Sequence, residues 1–111
     1  LQLRLTRLGF RVYTASDEGE ALQAARAYSP HLILSDTNLG SYSGPKMVPN
    51  LRAQGYQGLI YGMSGSSDVM IEDNWIQAGA KRFFPKHNLT SDTTTAVQLM
   101  RGDLEVSDRK Y

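Results

Sequence analysis

A chain of 111 residues with 41% hydrophobic and 21% charged residues has the makings of one domain around one core, and no room for two. Its formal net charge of +1 comes from 12 basic and 11 acidic residues spread without a run or stripe, which excludes the electrostatic footprint of a nucleic-acid binder. Cysteine is absent, which rules out disulfides and thiolate chemistry, and no apolar run has membrane-spanning length or the form of a signal peptide, so a cytoplasmic domain is expected.

Leu1, Leu5 and Leu8 recur at helical spacing and predict a helix stopped by Gly9. That helix is already under way at Leu1, which is not a methionine, so residues upstream are expected. Phe10 to Ala15, alternating around Val12, predicts a strand. Asp17 with Glu20 three residues on has the form of a capping box, opening a helix that turns Ala21, Leu22, Ala25 and Tyr28 inward until Pro30. The apolar run Leu32-Ile33-Leu34 then reads as a strand buried on both faces. It stops at the carboxylate of Asp36, and residues 37–44 are mostly small, polar or turn-forming.

A third helix carries Met47, Val48 and Leu51 inward, and Pro49 is expected to kink or shorten it. Gly55 and Gly58 bracket a turn before an apolar strand from Leu59 to Ser64. Ser67 is placed to cap a helix with Val69, Ile71, Trp75 and Ala78 on its apolar side, ended by Gly79. Ala80 to Pro85 predicts a last strand closed by Lys86, and Val97, Met100 and Leu104 mark a final helix running roughly from Ser91 to Glu105. The domain is thus expected over residues 1–105, with residues 106–111 a short polar tail. Strand and helix alternate throughout, which predicts an α/β fold: a parallel sheet covered on both faces.

Three of the predicted strands end in polar groups, Asp36, Ser64 and Lys86. Parallel strands bring such ends to one edge of a sheet, where ligands bind. Singly, each has a plainer role: an Asp that turns a loop, a serine at a strand end, a solvated lysine. Together, a carboxylate, a hydroxyl and an ammonium suit phosphoryl transfer. The carboxylate attacks phosphorus to give an aspartyl phosphate, while the other two bind oxygens that carry the added charge.

At these residues the chain resembles the receiver domain of two-component response regulators, over nearly all of its length. The loop Asp36-Thr37-Asn38-Leu39-Gly40-Ser41-Tyr42-Ser43-Gly44 keeps the family's closing glycine. Ser64-Gly65 stands where the family has Thr or Ser followed by Ala, Ala78-Gly79-Ala80 matches an Ala-Gly-Ala before the last strand, and Phe83 matches the aromatic residue three before the lysine, Lys86. The resemblance implies a flavodoxin-like, doubly wound parallel sheet of order 2-1-3-4-5, with the first strand absent from this sequence.

It also implies that Asp36 is the phosphoacceptor, that Ser64 and Lys86 bind phosphate, and that Mg²⁺ is held by Asp36 and the backbone carbonyl of Asn38. The side chains of Asn38 and Ser66 fall where the family tunes dephosphorylation. Phe83 becomes the switch aromatic, turning inward as Ser64 moves to the phosphate and reshaping the face of the fourth helix, fifth strand and fifth helix. The implied partners are a histidine kinase or histidine phosphotransfer protein and a downstream protein on that face, a homodimer being compatible with it. Neither membrane nor nucleic acid is among them, and the domain catalyses at most its own phosphorylation and dephosphorylation.

Departures from the family pattern are specific. Gly40 replaces a loop proline, Ser43 a loop aspartate, and His87 the proline that usually follows the lysine. A cis Lys86-His87 bond costs about 3 kcal/mol without proline, so it is expected to be trans unless packing holds the strain. The family's first strand and the acidic pair after it are absent, leaving Asp36 as the one matched acidic ligand, so Mg²⁺ is expected to bind weakly or not at all. The alternative to a phosphoacceptor is a degenerate receiver that serves as a phosphorylation-independent interaction module. A flavin or nucleotide enzyme on the same fold would need a glycine-rich phosphate loop, which the sequence lacks.

Overall fold

The computed structural model describes residues 2–39, 42–65 and 69–108. In chain order its elements are α1 (Gln2–Arg7), α2 (Glu18–Tyr28), β1 (Leu32–Asp36), β2 (Asn38–Leu39), β3 (Tyr42–Ser43), α3 (Gly44–Ala53), β4 (Leu59–Ser64), α4 (Val69–Ala78), β5 (Arg82–Pro85), α5 (Lys86–Ser91) and α6 (Thr93–Asp108). Each long strand is a short apolar run whose successive side chains point to opposite faces, so each strand feeds two packed layers. On one face Ile33, Ile60 and Phe83 meet Ala25 of α2, Met47, Val48 and Leu51 of α3, and Trp75 of α4. On the other, Leu32, Leu34, Tyr61, Met63 and Phe84 meet Leu89 of α5 and Ala96 and Met100 of α6.

The parallel sheet runs β1-β4-β5, and β2 and β3 form a separate antiparallel hairpin after Asp36. That order is the third, fourth and fifth part of the expected 2-1-3-4-5 arrangement, in keeping with the absence of the first strand. The strand expected over Phe10 to Ala15 does not form. A strand needs a hydrogen-bonding neighbour, and between this segment and β1 lies a cavity of about 1000 Å³ lined by Phe10, Val12, Leu32, Leu34 and Met100 among others. The segment is held by side chains instead. Tyr13 stacks on Tyr28 with ring centres 3.9 Å apart, and the Arg101 guanidinium lies 5.6 Å from the Phe10 ring centre.

Helix ends follow their caps. The carboxylate of Asp17 accepts from the Glu20 amide at 2.8 Å, and that of Glu20 reaches back one residue past the cap to accept from the Ser16 amide at 3.2 Å, a variant of the expected box. α3 opens on Gly44-Pro45, carries Pro49 within it and continues to Ala53, so it is not shortened there. The expected last helix is α6, and an unexpected short helix, α5, precedes it. Asp92 separates α5 from α6, its carboxylate accepting from the Thr95 amide at 3.3 Å and the Thr95 hydroxyl at 2.7 Å. Lys86 therefore opens a helix rather than only closing a strand, and α6 continues to Asp108, into the segment expected as a polar tail. No described peptide bond is cis, so Lys86-His87 is trans. Leu1 and the capping position Ser67 lie outside the described residues.

Two polar contacts lock the layers to the sheet. Tyr56 donates its hydroxyl to the Pro30 carbonyl at 2.9 Å and the Leu59 carbonyl at 3.2 Å, tying the starts of β1 and β4 together, and burial pushes that hydroxyl up to about 12. Tyr61 and Arg82, paired across the β4–β5 ladder, both reach Asp103 of α6, the guanidinium at 2.7 and 3.1 Å. The Arg82 hydrogen bond holds the Asp103 carboxyl below the usual carboxylate range. Burial, and then the bond to Asp103, pushes the Tyr61 hydroxyl up.

Candidate functional site

The register of the sheet decides which strand ends meet. Asp36 pairs with Met63, and Ser64 pairs with Pro85. Ser64 thus lies one residue beyond the level of Asp36, and Lys86 one residue beyond the level of Ser64. All three stand along one edge of three adjacent parallel strands, although 50 residues separate the first from the last. The Lys86 ammonium donates to Oδ2 of Asp36 at 2.5 Å. Their side chains are 29% exposed for Asp36 and 46% for Lys86, so the pair is open to solvent and to a ligand. Ser64 is buried at the end of β4.

Backbone bonds fix the loop that leaves Asp36. The Thr37 amide donates to the Met63 carbonyl at 2.9 Å, extending the β1–β4 ladder by one residue, and the Gly44 amide donates to the Thr37 carbonyl. Asn38 follows in β2, opposite Ser43, with its side chain exposed. Phe83 is half-buried, lies beside Gly62 in the register and packs against the core layer that contains Trp75. Ser66, the other expected tuning residue, lies outside the described residues. Thr37 was not legible as anything but a turn residue. Its hydroxyl accepts from the Trp75 indole at 3.0 Å, and the one sequence signal pointing there was a lone tryptophan on a helix's apolar side, whose N–H needs an acceptor when buried.

What the site can do follows from its donors and acceptors. A carboxylate at a solvent-open strand end can act as a nucleophile, and the ammonium bonded to it is in reach of oxygens added to that carboxylate. A hard divalent cation fits less well. Among the described residues no group of three or more acidic or histidine side chains could hold a metal ion. One carboxylate, already bonded to Lys86, together with backbone carbonyls does not make a Mg²⁺ site by itself. Among the described residues, too, no helix is long and apolar enough to cross a membrane.

Comparison with known proteins agrees with this geometry. The family model described as the response regulator receiver domain matches residues 1–98. The cell cycle transcriptional regulator CtrA of Caulobacter vibrioides is 31% identical over 86 residues, which are 78% of this chain and 37% of the regulator. The chain therefore spans little more than a third of that relative's length. Among solved structures, a CheY-like response regulator receiver domain protein from Methanospirillum hungatei superposes with a TM-score of 0.82 at 17% identity, over 96% of this chain and 83% of that one. The chemotaxis protein CheY4 of Vibrio cholerae gives a TM-score of 0.70 at 25% identity, over 77% of this chain and 72% of its own.

Proposed function

Because the chain belongs to the response regulator receiver domain family of two-component signalling, we propose that it works as a phosphoacceptor whose phosphoryl group is carried on Asp36. The observation that carries this reading is the contact between Lys86 and Asp36 at the sheet edge where Ser64 also ends. A carboxylate oxygen of Asp36 forms the new bond to phosphorus while the bond from phosphorus to the donor breaks, and the donor leaves with that electron pair. Lys86 then exchanges its carboxylate partner for a phosphoryl oxygen, and Ser64 supplies a hydroxyl to another. Phe83 follows Ser64 inward and alters the face formed by α4, β5 and α6, where a downstream protein binds. A histidine kinase or histidine phosphotransfer protein supplies the phosphoryl group, and Asn38 and Ser66 set how long it stays.

A second reading, a phosphorylation-independent interaction module, is favoured by one observation: the described residues hold no cluster of three or more acidic or histidine side chains that could bind a cation. One experiment separates the two. The chain is incubated with acetyl phosphate in magnesium buffer beside an Asp36→Asn variant, and intact mass is followed. A gain of one phosphoryl group by the parent alone supports the phosphoacceptor. No gain by either protein, or equal gain by both, overturns it.

A further inference from the structure

Trp75 is fully buried and is the one buried residue of α4. Elsewhere on that helix Val69, Met70 and Ile76 are exposed, and Ile71 and Ala78 are half-buried against the same core. Its indole occupies a space that two glycines leave free. A Cβ on Gly62, in β4, would fall inside the van der Waals envelope of the ring, and one on Gly44, at the start of α3, would stand 2.6 Å from Cζ2. Backbone on these two sides gives the ring no route to slide without moving the helix that carries it.

The polar end of the ring is as constrained as its faces. The indole N–H donates to the Thr37 hydroxyl at 3.0 Å, and that hydroxyl donates to the Met63 carbonyl at 2.8 Å. Thr37 directly follows Asp36, and Met63 directly precedes Ser64. One side chain of α4 is thus bonded, through one hydroxyl, to the ends of both strands that carry the phosphoacceptor and its serine. We propose that Trp75 is a positioning residue that couples the placement of Asp36 to the placement of α4 through Thr37. A change in the charge or bonding of Asp36 displaces the Thr37 hydroxyl, the hydroxyl carries the indole, and the indole carries its helix. Only the signalling meaning of this coupling rests on Asp36 being phosphorylated.

The test uses the chain's single tryptophan as its own reporter. The indole N–H proton resonance is recorded by NMR in the parent, in Asp36→Asn, in Thr37→Val and in the double variant, with Thr37→Ser as the conservative control. Asp36→Asn is expected to move the resonance in the parent and in Thr37→Ser. Most of that movement is expected to be lost in Thr37→Val. A resonance that ignores Asp36→Asn, or that moves equally with valine at position 37, overturns the coupling. In parallel, acetyl phosphate is added and Trp75 emission is compared with intact mass. Emission is expected to change with the mass gain in the parent and to stay constant in Thr37→Val while mass still rises. Absence of any mass gain defeats the phosphoacceptor reading and leaves the NMR comparison to decide the coupling on its own.

Discussion

The contact between Asp36 and Lys86 is short but half-open to water, and exposed ion pairs contribute only about 0.2–1 kcal/mol to stability. Its place at the sheet edge therefore points to chemistry rather than to folding. Lys86→Met keeps most of the apolar stem and removes the charge. Its unfolding free energy is expected to stay within about 1 kcal/mol of the parent, while phosphoryl uptake from acetyl phosphate fails. Denaturant titration and intact mass check the two halves separately. Asp103 behaves in the opposite way. Its carboxyl lies below the unfolded value of 3.8, chiefly through the Arg82 hydrogen bond, so its ionised form is favoured in the fold. The stability it contributes is complete above that unfolded value and is lost as pH falls through the lowered native value. Asp103→Asn is expected to flatten the acid limb of a stability profile below about pH 4, the region set by that linkage. Parent and variant converging there in acid titrations followed by circular dichroism is the check. Asp36, Ser64 and Lys86 could be read from sequence because strand ends announce themselves. The bonds from Trp75 to Thr37 and from Tyr61 to Asp103 could not, since the partners stand 38 and 42 positions apart.

Elements in this chain stand or fall by whether they find partners. α2 formed where Asp17 and Glu20 predicted it because the bonds that cap it are local. The strand around Val12 did not form, since alternation supplies a face but not a hydrogen-bonding neighbour. The short α5 stops at Asp92 because a side chain that caps Thr95 competes with continuing that helix. For β4 and α4 the partner is each other, by way of Gly62. Gly62→Ala forces the new methyl against the Trp75 ring, and overpacking of this kind costs about 1–3 kcal/mol. Gly65→Ala, where a Cβ meets nothing within 4 Å, is expected to be near neutral. Urea unfolding of the two variants side by side measures the difference.

At the scale of the whole molecule, three strands divide two packed layers, and one edge of the sheet borders the large cavity. At the ends of the β1–β4 ladder Leu59 donates to the His31 carbonyl and Thr37 to the Met63 carbonyl. Strand alternation then turns the amides of Ile33, Ser35 and Thr37 toward β4, and those of Leu32, Leu34 and Asp36 toward the cavity. Hydrogen exchange is expected to divide along the same line. The first three should approach the protection of the global core, and the second three should exchange through local openings of much lower free energy. Equal protection of both sets would mean that the cavity side of β1 is paired in solution. The α/β class and the direction of the sheet were legible from alternating elements. The cavity was not, because it depends on which strands pair and not on where strands occur.

The wedge of Trp75 between Gly44 and Gly62 also fixes an order of history. A lineage that first replaced the tryptophan with a smaller apolar residue would open room for a side chain at Gly62, whereas a Cβ on Gly44 would still collide with the Asp36 backbone carbonyl. A lineage that filled Gly62 first would pass through a strained intermediate before the tryptophan could yield. Change at Trp75 and Gly62 is therefore directional: the ring must leave before that glycine can, while Gly44 is held by backbone as well.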